Sequence, residues 1–69
     1  MSDIRAKFGK NLRQLREKQD LTQEELADRA GMHWTYIGQI ERGVRNPSLV
    51  NLYKLAKALK VSSGQLLPF

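Results

Sequence analysis

The sequence predicts an all-α domain of about five helices. Three observations predict it: apolar residues recur at helical spacing in successive segments, glycines and prolines punctuate the chain between those segments, and no stretch reads convincingly as a strand. A chain of 69 residues allows one domain, spanning 1–69, whose core buries only about 60% of the unfolded surface.

The first helix is predicted from Asp3 to Lys18. Ile4, Phe8, Leu12 and Leu15 form its inner face, and Arg5, Arg13 and Arg16 lie opposite. Gly9 interrupts this segment at a cost of about 1 kcal/mol relative to alanine. It marks either close packing against a neighbour or a neutral substitution. Thr22 precedes QEEL, with Glu25 three residues on, so the pair reads as a capping box opening a second helix. Leu26, Ala27 and Ala30 form the buried face of that helix and Gly31 ends it. The third helix occupies HWTYIGQIERG, His33 to Gly43. Arg45-Asn46-Pro47-Ser48 is a polar loop, and Pro47 or Ser48 starts a fourth helix with Leu49, Leu52, Leu55, Ala56 and Leu59 on one stripe. A short last helix or turn runs from Ser63 to Leu67 and stops at Pro68.

Within this series, Gln23, Ala27, Gly31, Ile37 and Ile40 fall at relative positions 1, 5, 9, 15 and 18 of a twenty-residue window. That spacing is the helix-turn-helix pattern, here about 22–42. Ala27 must be small where the third helix crosses it, Gly31 permits a tight turn with positive φ, and Ile37 and Ile40 anchor the third helix to the domain.

Composition narrows the function. Twelve Lys and Arg against seven Asp and Glu give a net charge of +5, which favours a polyanionic partner, although a merely basic surface gives the same total. His33 is the only histidine, and no His, Asp or Glu cluster reads as a metal or acid–base site. No catalytic, cofactor-binding or metal residues are therefore expected. Cysteine is absent, which fits a reducing cytoplasm, and no apolar run approaches a membrane span or a signal-peptide core.

Through LTQEELADRAG, IERG and LYKLAKALKVS, the chain resembles the Cro and phage-repressor helix-turn-helix family, also called Xre-like, from about Phe8 to Leu67. The run TYIGQIERGVRNPSL is similar to the controller proteins of restriction–modification systems, and such runs also occur in other small Xre-like regulators. The resemblance implies a five-helix lambda-repressor-like fold from a bacterium or phage. The implied function is a cytoplasmic transcription regulator that binds a palindromic double-stranded DNA operator as a homodimer, with the third helix in the major groove. A protein-interaction module of the same fold, such as an antitoxin or adaptor, is the competing expectation. No second domain is predicted, so no small-molecule effector is expected.

Under that resemblance Thr35 and Gln39 are base readers, a thymine-methyl contact and a paired hydrogen bond to adenine. Trp34 occupies a base-reading position where polar or basic residues are usual, and serves either as an apolar reader or as a brace packed on an arginine of the first helix. Thr22, Gln23, Tyr36, Arg42, Arg45 and Asn46 are expected at the phosphate backbone, with Gln23 also bracing the third helix, Tyr36 alternatively a purely structural ring and Arg45 alternatively a solvated loop charge. Arg16 and Glu41 match a family pair that forms an internal salt bridge. Val50, Tyr53, Leu67 and Phe69 are candidates for a dimer interface, the alternative being that they close the domain's own core.

Overall fold

In the computed structural model, which describes residues 3–69, each helix begins where a short polar side chain captures a free backbone N–H. Asp3 accepts from the Arg5 amide to open α1 (Ile4–Lys18), and Thr22 with Glu25 forms a complete capping box for α2 (Gln23–Ala30). Ser48 caps α4 (Leu49–Leu59), and Ser62 with Gln65 makes a second capping box for α5 (Ser63–Leu66). The helix between them, α3 (Trp34–Glu41), is the exception: His33 stands at its N-cap without a side-chain cap bond.

The helices also end for local reasons. Gly31 adopts φ 67° and ψ 39°, the left-handed conformation that turns the chain from α2 into α3. The last helix stops one residue before the expected Leu67. That residue is extended, as the clash with the following Pro68 ring requires.

Packing then follows the apolar stripes. Leu12, Leu26, Ile37, Ile40, Leu55, Leu59 and Leu66 are completely or almost completely buried, so every helix contributes to one core. Each such side chain contributes about 1.5–3 kcal/mol by leaving water. α3 packs against both α1 and α2, while α2 meets α4 and α1 meets α5. Two amides staple the ends together: Asn11 Nδ2 donates to the carbonyls of Gln65 (3.0 Å) and Leu66 (2.6 Å), and Gln19 Nε2 donates to that of Leu59 (2.6 Å).

One contact fixes where α3 sits. A Cβ at Gly9 would stand 2.6 Å from the Glu41 carbonyl oxygen and would also collide with that of Ile40, so α1 meets the end of α3 backbone to backbone. Of the two readings of Gly9, close packing is the one the fold adopts.

The expected stripe of the fourth helix needs one correction. Leu49 is 82% exposed at the very start of α4, while Leu52, Leu55 and Leu59 farther along the same stripe pack against or within the core. Among the described residues no helix is long and apolar enough to cross a membrane, and no group of acidic, histidine or cysteine side chains could hold a metal ion.

Candidate functional site

α3 presents two unlike faces. Ile37 and Ile40 are fully buried, which turns Trp34, Thr35 and Arg42 outward, with Gln39 half-buried between the faces. The outward set is an exposed surface of apolar and hydrogen-bonding side chains, with Trp34 partly covered at its edge.

The helix is held in place by a polar network beneath this face. Arg16 Nε donates to Glu41 Oε2 at 2.6 Å and its Nη2 donates to Oε1 at 3.1 Å; the two side chains are only 11% and 4% exposed. Arg16 Nη1 also donates to the Leu21 carbonyl at 2.7 Å, and Gln23 Nε2 donates to Glu41 Oε1 at 3.0 Å. The hydrogen bonds to Glu41 are the main reason that the Arg16 guanidinium is raised above its ordinary value, with burial opposing them. Both ions thus gain partners for their desolvated charge, and α1, the α1–α2 turn, α2 and α3 are locked to one another.

Gly38 belongs to this network rather than to the outer surface. The glycine is buried, and a Cβ there would lie 3.3 Å from Arg42 Nη1 and 3.4 Å from Gln23 Oε1. The space is filled by Gln23 reaching across to Glu41 and by Arg42 folding back along its own helix.

Trp34 opens α3 and is 52% exposed. It lines a shallow groove with Glu24, Ala27, Asp28, Met32 and His33, so its neighbours come from α2 and the turn. Among the described residues no arginine makes a cation–π contact with the indole.

Beyond α3 the basic loop is more ordered than a chain of solvated charges. The Arg45 guanidinium carbon lies 5.4 Å from the centre of the Tyr36 ring, within cation–π range. The ring packs partly against the core, and its hydroxyl accepts from Asn51 Nδ2 at 3.1 Å. Asn46 is exposed, as is Thr22 at the start of α2, where its hydroxyl is occupied by the capping box.

The proposed interface residues divide. Val50 and Tyr53 are each 61% exposed and Phe69 is 77% exposed, but Leu67 is half-buried against the core. Leu49, read from the sequence as core, joins Tyr53, Leu66 and Leu67 along an apolar groove of about 450 Å³. Sequence periodicity could not separate Leu49 from the core stripe, and no sequence signal marked Asn51 as a partner of Tyr36.

Residues 12–66 match the helix-turn-helix family. The chain is 48% identical over 69 residues to control protein C.BamHI of Bacillus amyloliquefaciens, covering 99% of this chain and 85% of that protein. It is 46% identical over 65 residues to control protein C.SmaI of Serratia marcescens, covering 94% and 77%. The crystal structure of the restriction–modification controller protein C.AhdI from Aeromonas hydrophila superposes with a TM-score of 0.88 at 48% identity, covering 90% of this chain and 94% of that one.

Proposed function

The chain belongs to the helix-turn-helix family of DNA-binding transcription regulators, and from that premise we propose that it binds a palindromic operator as a homodimer and acts as the controller of a restriction–modification system. The observation that carries the reading is the outward face of α3. Trp34, Thr35 and Arg42 are exposed on a helix fixed to the domain by the buried Arg16–Glu41 pair. A rigid scaffold that leaves one short helix face open is what major-groove recognition needs.

Residue roles follow from reach and chemistry. Trp34, Thr35 and Gln39 meet base edges. Thr22 and Gln23 at the start of α2, with Tyr36, Arg42, Arg45 and Asn46 around the end of α3, meet the phosphates. Two half-sites need two recognition helices about 34 Å apart, hence a twofold dimer. The exposed Leu49, Val50, Tyr53 and Phe69, with Leu67 at their margin, supply apolar surface that a second copy would cover. Such a regulator works in the cytoplasm of a bacterium or phage-infected cell.

Selection of bound sequences from random duplexes tests the reading. Enrichment of a short inverted repeat, with affinity falling steeply as salt rises, is expected. Enrichment of nothing, or of an asymmetric single half-site, overturns the operator model. Sedimentation that showed only monomer with and without that duplex would remove the dimer. Restriction endonuclease and methyltransferase genes beside this one would support the controller role, and their absence would count against it.

A further inference from the structure

Tyr36, Asn51 and Arg45 come together at the edge of α3 from three separate parts of the chain: α3 itself, the first turn of α4 and the loop between them. A phenol oxygen accepts through its lone pairs and donates one proton. Here Asn51 Nδ2 donates to it at 3.1 Å, so the lone pair is engaged and the proton must go elsewhere. No acceptor among the described side chains or carbonyls is hydrogen-bonded to that proton. The ring is partly packed against the core, which limits where the hydroxyl can swing.

Arg45 completes the arrangement. Its guanidinium lies over the same ring, 5.4 Å from the centroid, and forms no ion pair with any described carboxylate. That contact holds the guanidinium beside the ring without using its N–H groups in an ion pair. The cluster therefore offers one O–H and a guanidinium fork to a single external group. An anion with several acceptor oxygens, such as a backbone phosphate, would use both.

We propose that Asn51 is a positioning residue for the DNA backbone: by donating to the Tyr36 hydroxyl it directs the phenol proton onto a phosphate oxygen, alongside the Arg45 guanidinium held on the same ring. Asn51 acts through Tyr36, and its own contact with DNA is not required. The inference rests on the DNA-binding reading and adds a partner that sequence spacing did not reveal.

A double-mutant cycle on the selected operator duplex tests it, read by fluorescence anisotropy well below the melting temperature of each variant. Tyr36→Phe and Asn51→Ala should each weaken binding about tenfold, the scale of a hydrogen bond to a charged group. In the Tyr36→Phe background, Asn51→Ala should cost almost nothing further, because the hydroxyl it orients is gone. Neither change removes a charge, so the salt dependence should keep its slope, whereas Arg45→Ala should flatten it by about one phosphate contact. An Asn51→Ala cost that survives undiminished in the Tyr36→Phe background overturns the proposal, as does Tyr36→Phe binding like the wild type. Wild-type protein that bound no duplex would defeat the DNA-binding reading together with this one; retained operator binding with additive effects defeats this one alone.

Discussion

Arg16 and Glu41, 25 residues apart in sequence, form a two-pronged ion pair that joins α1 to the last turn of α3. Because the Glu41 side chain is only 4% exposed, its charge is balanced by Arg16 and Gln23 and scarcely at all by water. Glu41→Ala would leave the Arg16 guanidinium buried without its counter-ion, a loss of about 3–5 kcal/mol. Denaturant unfolding should show the drop. Replacing both residues together by apolar side chains of similar volume should cost much less than Glu41→Ala alone, since the desolvation of the pair offsets much of its attraction. A Glu41→Ala protein with an unchanged midpoint would refute the buried-pair account.

Gly9 and Gly38 make opposite predictions although both are buried helical glycines. At Gly9 an added methyl runs into the backbone carbonyls of Ile40 and Glu41, which cannot move without shifting α3. Gly9→Ala should therefore destabilise by about 1–3 kcal/mol, the usual cost of overpacking, despite alanine's better helix propensity. At Gly38 the nearest atoms are the ends of the Arg42 and Gln23 side chains, at 3.3 and 3.4 Å, and both can give way. Gly38→Ala should stay within about 1 kcal/mol of the wild type, propensity offsetting the crowding. Thermal melts of the two variants side by side decide it: equal losses would mean that backbone and side-chain neighbours are equivalent here.

These glycines also mark the boundary of what the sequence made legible. The helices, the Thr22–Glu25 capping box and the Gly31 turn were readable because each depends on neighbours within about four residues. The inward set Ile37 and Ile40 followed from the same local period, as did the outward Thr35 and Arg42, whereas Gln39, which the period places beside them, is half-buried. Gly9 stayed ambiguous because its partner carbonyls lie more than thirty positions away. Leu49 shares the period of Leu52, Ala56 and Leu59, and only the extent of the core decides that it lies outside while Leu52 packs against it. Asn51 and Tyr36 meet across a loop, a contact that neither periodicity nor residue type encodes. Lys60 caps α4 in the left-handed conformation, φ 57°, where a glycine would have announced the turn.

The α2 capping box should be visible in acid. Glu25 accepts from the Thr22 amide at 2.9 Å, and this backbone bond is the main cause holding its carboxyl below the ordinary 4.5. The folded value is lower than the unfolded one, so the ionised form is favoured by folding. Its contribution is complete above the unfolded pKa and is lost as pH falls through the folded value. Glu25→Gln keeps an acceptor at the same place but cannot titrate. Melting temperatures measured from neutral to acid pH should fall more steeply for the wild type than for Glu25→Gln, while the other carboxylates affect both alike. Parallel curves would show that the box is not maintained in solution.

Trp34 remains the residue whose service is decided by DNA rather than by the fold. A brace would be largely covered, yet Trp34 is 52% exposed, with only the groove of Ala27, Met32 and their acidic neighbours behind it. The free part of the indole is apolar and stands next to Thr35, which carries a methyl. In the major groove the matching feature is the C5-methyl of thymine. Replacing the thymine opposite Trp34 by uracil, which lacks only that methyl, should weaken wild-type binding roughly fourfold, the equivalent of about 0.8 kcal/mol for one buried carbon. Trp34→Ala should bind the thymine and uracil operators alike and melt close to the wild type. If uracil is tolerated at every position of the half-site while Trp34→Ala loses several degrees of melting temperature, the residue is a brace, and Thr35 and Gln39 carry the base contacts alone.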